Sequence, residues 1–402
     1  MTQAPGYDAP LAGPPLADLV VLDLTRALAG PQAAMMLGDL GARVIKVESV
    51  TGDDTRAWGP PWAGDPGPED PHDSTYFMSA NRNKESIVLD LKAEDDRDVL
   101  EKLVRRSDVL LENFRTGVLD RLGFPVARLH ELNPGLVIGS ISGFGHDGPD
   151  AGRAGYDQIA QGEGGLMSLT GVTEPTKVGV PIADLLSGMN LAYGVLAALH
   201  ERARTGRGRV VRTSLLAGIV GVHAFQGTRW TIAGEVPGLS GSHHPAIAPY
   251  GMFATATSPV QVAVGSEGLW QKFAPAVGLD PADGRFATNR LRVAHRDELI
   301  AGIEAVFVTE PAEHWLDLLL GVGVPAGKVR SLDDVYSWEQ TRSQGLLVDV
   351  DHPAYGRLTL AGSPLRFDNN AFSGGRPDHR PPPLLDEHGA AIRLWLAEES
   401  GA

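Results

Sequence analysis

The sequence predicts an α/β protein: a large lobe with a Rossmann-like parallel sheet plus a smaller α+β lobe. Three observations carry this reading. Short apolar runs alternate with amphipathic segments through the first half, the pattern of right-handed strand–helix–strand crossovers. A chain of 402 residues exceeds what one simple core organises. After about residue 220 the pattern changes to a hairpin followed by helical segments. The domain reading is a loose tail over 1–15, a large domain from 16–215 and 330–402, and a small domain over 220–329.

Leu19 to Leu24 is a short, wholly apolar run apart from Asp23, as in a strand buried on both faces. Pro31 suits the first turn of a helix that runs to Leu40, and Gly41 stops it. Further strands follow at Arg43–Glu48, Ser86–Leu91, Asp108–Glu112 and Leu136–Ile141, with a charged amphipathic helix over Ala93–Arg106. A long apolar helix spans Leu185 to Arg204. A strand follows Arg209, and one helix is expected from Ser214 to Ile232. Pro237 to Tyr250 reads as a loop. Met252–Ala256 and Val260–Val264 form a hairpin pattern, and helices are expected at Leu269–Val277, Arg296–Val308 and Ala312–Gly321. Leu346 to Phe367 carries strand and turn signals, and the proline-rich Arg376–Pro383 is extended.

Composition narrows the function classes. Hydrophobic residues at 43% and charged residues at 21% are ordinary for a globular protein. A net charge of −15 argues against a nucleic-acid partner, which needs a basic stripe. The absence of cysteine excludes disulfides, thiolate metal sites and thiol nucleophiles, and fits a cytoplasmic location. Met1 to Pro15 lacks the basic and apolar regions of a signal peptide. The apolar run Leu185–Leu199 is too short to span a membrane, so no membrane partner is expected.

The chemistry-bearing candidates are few. Asp184 lies between an apolar run and the long helix, where free backbone N–H groups and the dipole favour an ionised carboxylate. Such a carboxylate can attack an activated acyl group, although a plain helix cap is the common role for Asp at this place. The first strand leads into Arg26-Ala-Leu-Ala-Gly-Pro31, with no Gly-x-Gly-x-x-Gly, which disfavours a dinucleotide site. A helix start there can still hold a phosphate or carboxylate. Asn113-Phe-Arg115 follows a strand end, where open parallel sheets bind ligands. His243-His-Pro245 lacks Cys or acidic partners at ligand spacing, and no metal is expected.

Asp184 with its flanks, Ala29-Gly-Pro31, Lys46-Val-Glu48, Asn81-Arg-Asn-Lys84, Glu112-Asn-Phe114 and Ala248-Pro-Tyr-Gly251 occur in one order. From about Leu16 to about His388 the chain resembles the class III CoA-transferases, the CaiB/BaiF family that includes formyl-CoA and carnitine CoA-transferases. The resemblance implies transfer of CoA from an acyl-CoA to a small carboxylic acid through an anhydride and thioester on Asp184. It implies CoA as substrate with no permanently bound cofactor, and an interlocked homodimer. It places Arg26, Ala27, Leu28, Ala29, Leu89, Lys92, Asn113, Phe114, Arg115, Arg121, Phe144 and Tyr156 at the CoA site, and makes the loop ending at Gly251 a flexible lid. Leu28 stands where many such transferases carry Gln or another polar residue. With Leu166, Met167 and Leu169 it hints at an apolar acyl pocket.

Other readings stay open. The related α-methylacyl-CoA racemases pair the residue matching Asp157 with an upstream His, and His146 lies near that place, so a racemase or epimerase is the first alternative. A CoA-binding protein without catalysis is the second, and an intact Asp184 context argues against it. A nicotinamide-dependent oxidoreductase is a weak third. The sequence places no Arg to grip a second carboxylate.

Overall fold

The computed structural model describes residues 13–64, 72–367 and 373–398. Most of the expected loose tail, residues 1–12, lies outside them. The chain divides into two compact units, residues 1–165, 178–224 and 338–402 against residues 166–177 and 225–337. Compared with the sequence reading, the first unit therefore gives up 166–177 and resumes at Trp338 rather than at residue 330.

The first unit is built on a six-stranded parallel sheet: β1 (Val20–Asp23), β2 (Arg43–Glu48), β3 (Lys84–Val88), β4 (Val109–Glu112), β5 (Val137–Ser142) and β6 (Val210–Ser214). The order is β3-β2-β1-β4-β5-β6, so the connections reverse direction between β1 and β4. One face packs on the helices Glu94–Arg106 and Val126–Leu132 through Leu22, Ile45, Leu100, Leu103, Leu110 and Leu129, all buried. Glu94, Asp95 and Asp96 open the first of these helices and Arg105 and Arg106 close it, matching its dipole.

Against the other face lie the helices Ala29–Asp39 and Ile182–Thr205. They cross where Gly188 meets the Ala29 carbonyl, and a Cβ on Gly188 would stand 2.5 Å from that oxygen. The second helix is longer than its sequence signal, at 24 residues, and by length and apolarity it matches a membrane span. Leu191, Ala192, Val195 and Ala198 are nevertheless buried inside the unit. Its end is set by Gly206 in the left-handed region (φ 69°).

Two elements differ from expectation for physical reasons. β3 begins at Lys84, two residues early, because the Lys84 ammonium is buried against Asp23 and a charged residue therefore sits inside a strand. The expected helix Ser214–Ile232 is two helices, Leu215–Gly221 and Ala224–Ala233, separated at Val222–His223, with Ala224 at φ 46°.

The second unit holds a three-stranded antiparallel sheet, Tyr250–Phe253, Val260–Ala263 and Ala326–Lys328. The helices Glu267–Ala276, Arg296–Phe307 and Ala312–Gly321 bury Trp270, Phe273, Phe307 and Trp315. Phe307 stacks on Trp315 at 4.6 Å. The 237–250 loop, expected as a flexible lid, is braced: Arg292 donates to the Ala248 carbonyl (2.7 Å) and Asn289 to that of Ala246 (3.0 Å).

Candidate active site

The connections after β1 and β4 meet where the strand order reverses, the place at which open parallel sheets form ligand crevices. Arg26 donates its N–H to Asn113 Oδ1 (2.8 Å), and Asn113 Nδ2 donates back to the Arg26 carbonyl (2.7 Å). The next residue, Ala27, has φ 66°, which a residue with a Cβ adopts only when its surroundings impose it. Its N–H is taken by Asp53 Oδ1 at 3.3 Å.

Buried charges hold this turn. Lys46 Nζ donates to the Thr25 carbonyl (2.8 Å) and to Asp53 Oδ2 (2.9 Å). Lys84 Nζ donates to Asp23 Oδ2 (2.9 Å), Asn81 Oδ1 (2.9 Å) and the Pro31 carbonyl (3.0 Å). Burial alone would raise Asp23 and Asp53. The Lys84 and Lys46 ammoniums override it and hold both carboxyls below the ordinary value. The Lys46-Val-Glu48 and Asn81–Lys84 motifs thus work behind the turn rather than on a ligand.

In front of the turn is a cavity of about 260 Å³. Arg26, Ala27, Leu28, Ala29, Asn113, Phe114, Arg115, Tyr156 and Asp184 line it together. Four residues placed at the CoA site by the sequence reading do not. Leu89, one residue past the end of β3, is 2% exposed and packs in the core. Lys92 lies beyond β3 in a turn where its N–H binds Asp90. Arg121 ends the short helix Val118–Arg121. Phe144 is buried under the Arg153 guanidinium at 4.3 Å.

The sequence reading missed Asp54, Trp58, Thr116, Ser142, Arg153 and Leu215, which also line the cavity. Arg153 is three residues before Tyr156, so the run Arg153–Tyr156 was the available signal. Arg26, Arg115 and Arg153 line the cavity that holds Asp184, with the Arg153 guanidinium paired to Glu163 and Asp150 and that of Arg26 4.0 Å from Asp54.

Asp184 differs from its sequence-based description. It is the third residue of its helix rather than the cap, since Pro181 occupies the cap position. The Ala183 N–H instead goes to Asp157 Oδ1 (2.8 Å). Nor is Asp184 held firmly ionised: burial, and then the negative charge of Asp157, push its carboxyl up to about 7. A helix dipole supplies about 0.3–1 kcal/mol, less than these two effects remove. Burial and the charges of Asp184, Asp157 and Asp53 push the Tyr76 phenol up to about 12, so it stays protonated among three carboxylates.

Asp157 and His146 take different partners. Asp157 is engaged with Ala183 and Gln161. His146 lines a second cavity of about 120 Å³ and contacts Ser140 Oγ at 2.6 Å. His243 and His244 make ring contacts instead, with Phe253, and with Phe225 and Tyr250. Among the described residues no three potential metal ligands cluster.

Residues 16–389 match the family described as CoA-transferase family III. The chain is 38% identical to the acetyl-CoA:oxalate CoA-transferase of Acetobacter aceti, over 95% of this chain and 96% of that protein. It is 38% identical to the succinyl-CoA:mesaconate CoA-transferase of Haloarcula hispanica, over 96% of each chain. A CaiB/BaiF family protein from Brucella suis has the same fold, with a TM-score of 0.84 and 39% identity over 96% of this chain and 100% of that one. On sequence and fold together, the chain belongs to CoA-transferase family III, the CaiB/BaiF family, and is an acyl-CoA:carboxylate CoA-transferase.

Proposed function

We propose that this enzyme moves CoA between small carboxylic acids by covalent catalysis on Asp184, and that the acids are dicarboxylic. The observation that carries the reading is the Asp184 carboxylate on the wall of the same cavity as the Arg26–Ala29 turn and the Asn113–Thr116 loop.

The steps balance without redox chemistry or a bound metal. An Asp184 oxygen attacks the thioester carbonyl of the donor, the C–S bond breaks, and CoA leaves as thiolate, giving a mixed anhydride. The thiolate attacks the Asp184 carbonyl carbon and expels the donor acid, leaving an aspartyl-CoA thioester. The acceptor carboxylate attacks that carbonyl and frees the thiolate, forming a second anhydride. The thiolate takes the acceptor acyl group, and Asp184 is regenerated as carboxylate. Each tetrahedral intermediate bears an oxyanion, for which the N–H groups of Leu28 and Ala29, where the helix Ala29–Asp39 starts on the cavity wall, are suitable donors. CoA is a substrate throughout, and no permanently bound cofactor takes part.

Support for dicarboxylic acids comes from two directions. One carboxylate must face Asp184, and Arg115 on the same cavity offers a counter-charge for a second, with Arg26, 4.0 Å from Asp54, beside it. Relatives at 38% identity carry oxalate and mesaconate in their names. The racemase reading has weaker support, because it needs two proton-transfer groups facing one carbon, and Asp157 and His146 are tied to separate partners.

We also place the enzyme in the cytoplasm as a homodimer. Met189 and Tyr193, exposed on the helix that carries Asp184, are suited to cover by a second copy. Sedimentation of a fully active monomer contradicts the dimer.

The deciding experiment incubates the enzyme with succinyl-CoA, acetyl-CoA or other acyl-CoA thioesters, traps with hydroxylamine or borohydride, and locates the adduct by mass spectrometry. An Asp184 adduct in the wild type is expected, with turnover of Asp184→Ala lowered by a factor of about 10³ or more. Turnover retained by Asp184→Ala removes the nucleophile role.

A further inference from the structure

The segment leading into Asp184 is gripped from one neighbouring helix, Asp157–Glu163. Asp157 Oδ1 accepts the Ala183 N–H at 2.8 Å, one residue before Asp184. Asp157 Oδ2 accepts from Gln161 Nε2 at 2.7 Å. The Gln161 side-chain carbonyl accepts the Val178 N–H at 2.9 Å. Gln161 is fully buried, so a broken bond here leaves an unpaired polar group away from water. Two side chains therefore pin both ends of the 178–183 segment.

We propose that Asp157 and Gln161 together are positioning residues that set the Asp184 carboxylate against the cavity wall. The proposal rests on the reading of Asp184 as nucleophile. Neither side chain takes part in bond making. Asp157 has both oxygens engaged in the clamp and is not free to act as a base. A displacement of about 1 Å in a reacting group costs on the order of 10²-fold in rate, so a clamp adjoining the nucleophile acts on turnover more than on CoA affinity.

The polarity of the chain of bonds supplies the test. In Asp157→Asn, the new amide oxygen still accepts from Ala183, but its NH2 group then faces the Gln161 NH2 group. Turning Gln161 over to relieve this presents a donor to the Val178 N–H. One bond is lost either way. Adding Gln161→Glu repairs the pattern: the amide at position 157 donates to one carboxylate oxygen at position 161, and the other oxygen accepts from Val178. Every hydrogen bond returns while the negative charge moves from position 157 to position 161.

The measurement is kcat, KM for the acyl-CoA donor, and trapped Asp184 adduct, in wild type, D157N and D157N/Q161E, with thermal midpoints as folding controls. D157N is expected to lower kcat by roughly 10-fold or more with KM within about 3-fold, and the double variant to recover most of kcat. Wild-type kcat in D157N overturns the proposal. So does a double variant that is unfolded, or folded and no faster than D157N. Turnover by the wild type without any Asp184 adduct is a different failure: the nucleophile reading falls, and this inference falls with it.

Discussion

Asp23, behind the Arg26–Ala29 turn, and Asp184, on the cavity wall in front of it, are the same side chain, and they are driven in opposite directions. Asp23 is wholly buried, yet Lys84 at 2.9 Å, with Lys46 behind it, holds its carboxyl below the ordinary value. Asp184 is less buried, and among the described residues no cation pairs with it. Burial and the Asp157 charge push it up to about 7. Burial penalises both charges, and the sign of the outcome is set by the nearest partner. A paired carboxylate is a stable strut. An unpaired one beside another anion is a stronger base, poised at neutral pH, and so a better nucleophile.

The largest expected effect follows from breaking the strut. Lys84→Met leaves Asp23 buried without its partner and should cost about 3–5 kcal/mol, read as a lower midpoint in urea. An unchanged midpoint removes the structural half of the contrast. Next, Asp184→Asn should stabilise the protein. A carboxyl raised in the folded state costs stability as pH climbs from its unfolded value near 4 through about 7. Relieving this should contribute on the order of 1–4 kcal/mol at pH 8 and nothing below about pH 4. Thermal midpoints of both proteins at pH 8 and pH 4 test it, and a variant less stable at pH 8 contradicts it. The smallest effect is on rate. Asp184 attacks as carboxylate, so kcat/KM for transfer should rise with pH through about 7, roughly tenfold between pH 6 and pH 8. A flat profile over that range puts the acid limb elsewhere.

Most strands were legible because a sheet covered on both faces writes continuous apolar runs. β2 was placed to the residue, as was the helix Ala312–Gly321. Legibility failed where charge is buried. Lys84 reads as surface by composition, and only its pairing with Asp23 shows it to be strand interior, which shifted the start of β3. The site was half readable. Runs adjoining a strand end, such as Arg26–Ala29 and Asn113–Arg115, follow from topology. Trp58 and Arg153 reach the cavity from irregular segments that no periodicity marks. The basicity of Asp184 was not readable at all, because it depends first on burial and then on Asp157, whose spacing in sequence says nothing of distance in the fold.

Gly188 is one helical turn beyond Asp184 and presses on the Ala29 carbonyl, where there is no room for even one added carbon. That missing methyl works as a ruler. It sets how near the helix bearing the proposed nucleophile stands to the turn that walls the cavity, and so the gap across which an acyl group would be handed over. Sequence drift in the outer faces of those helices leaves the gap alone, whereas a single methyl at position 188 must widen it. The dimension that matters most to the proposed chemistry is thus written at a residue that touches no substrate and has no side chain with which to do so.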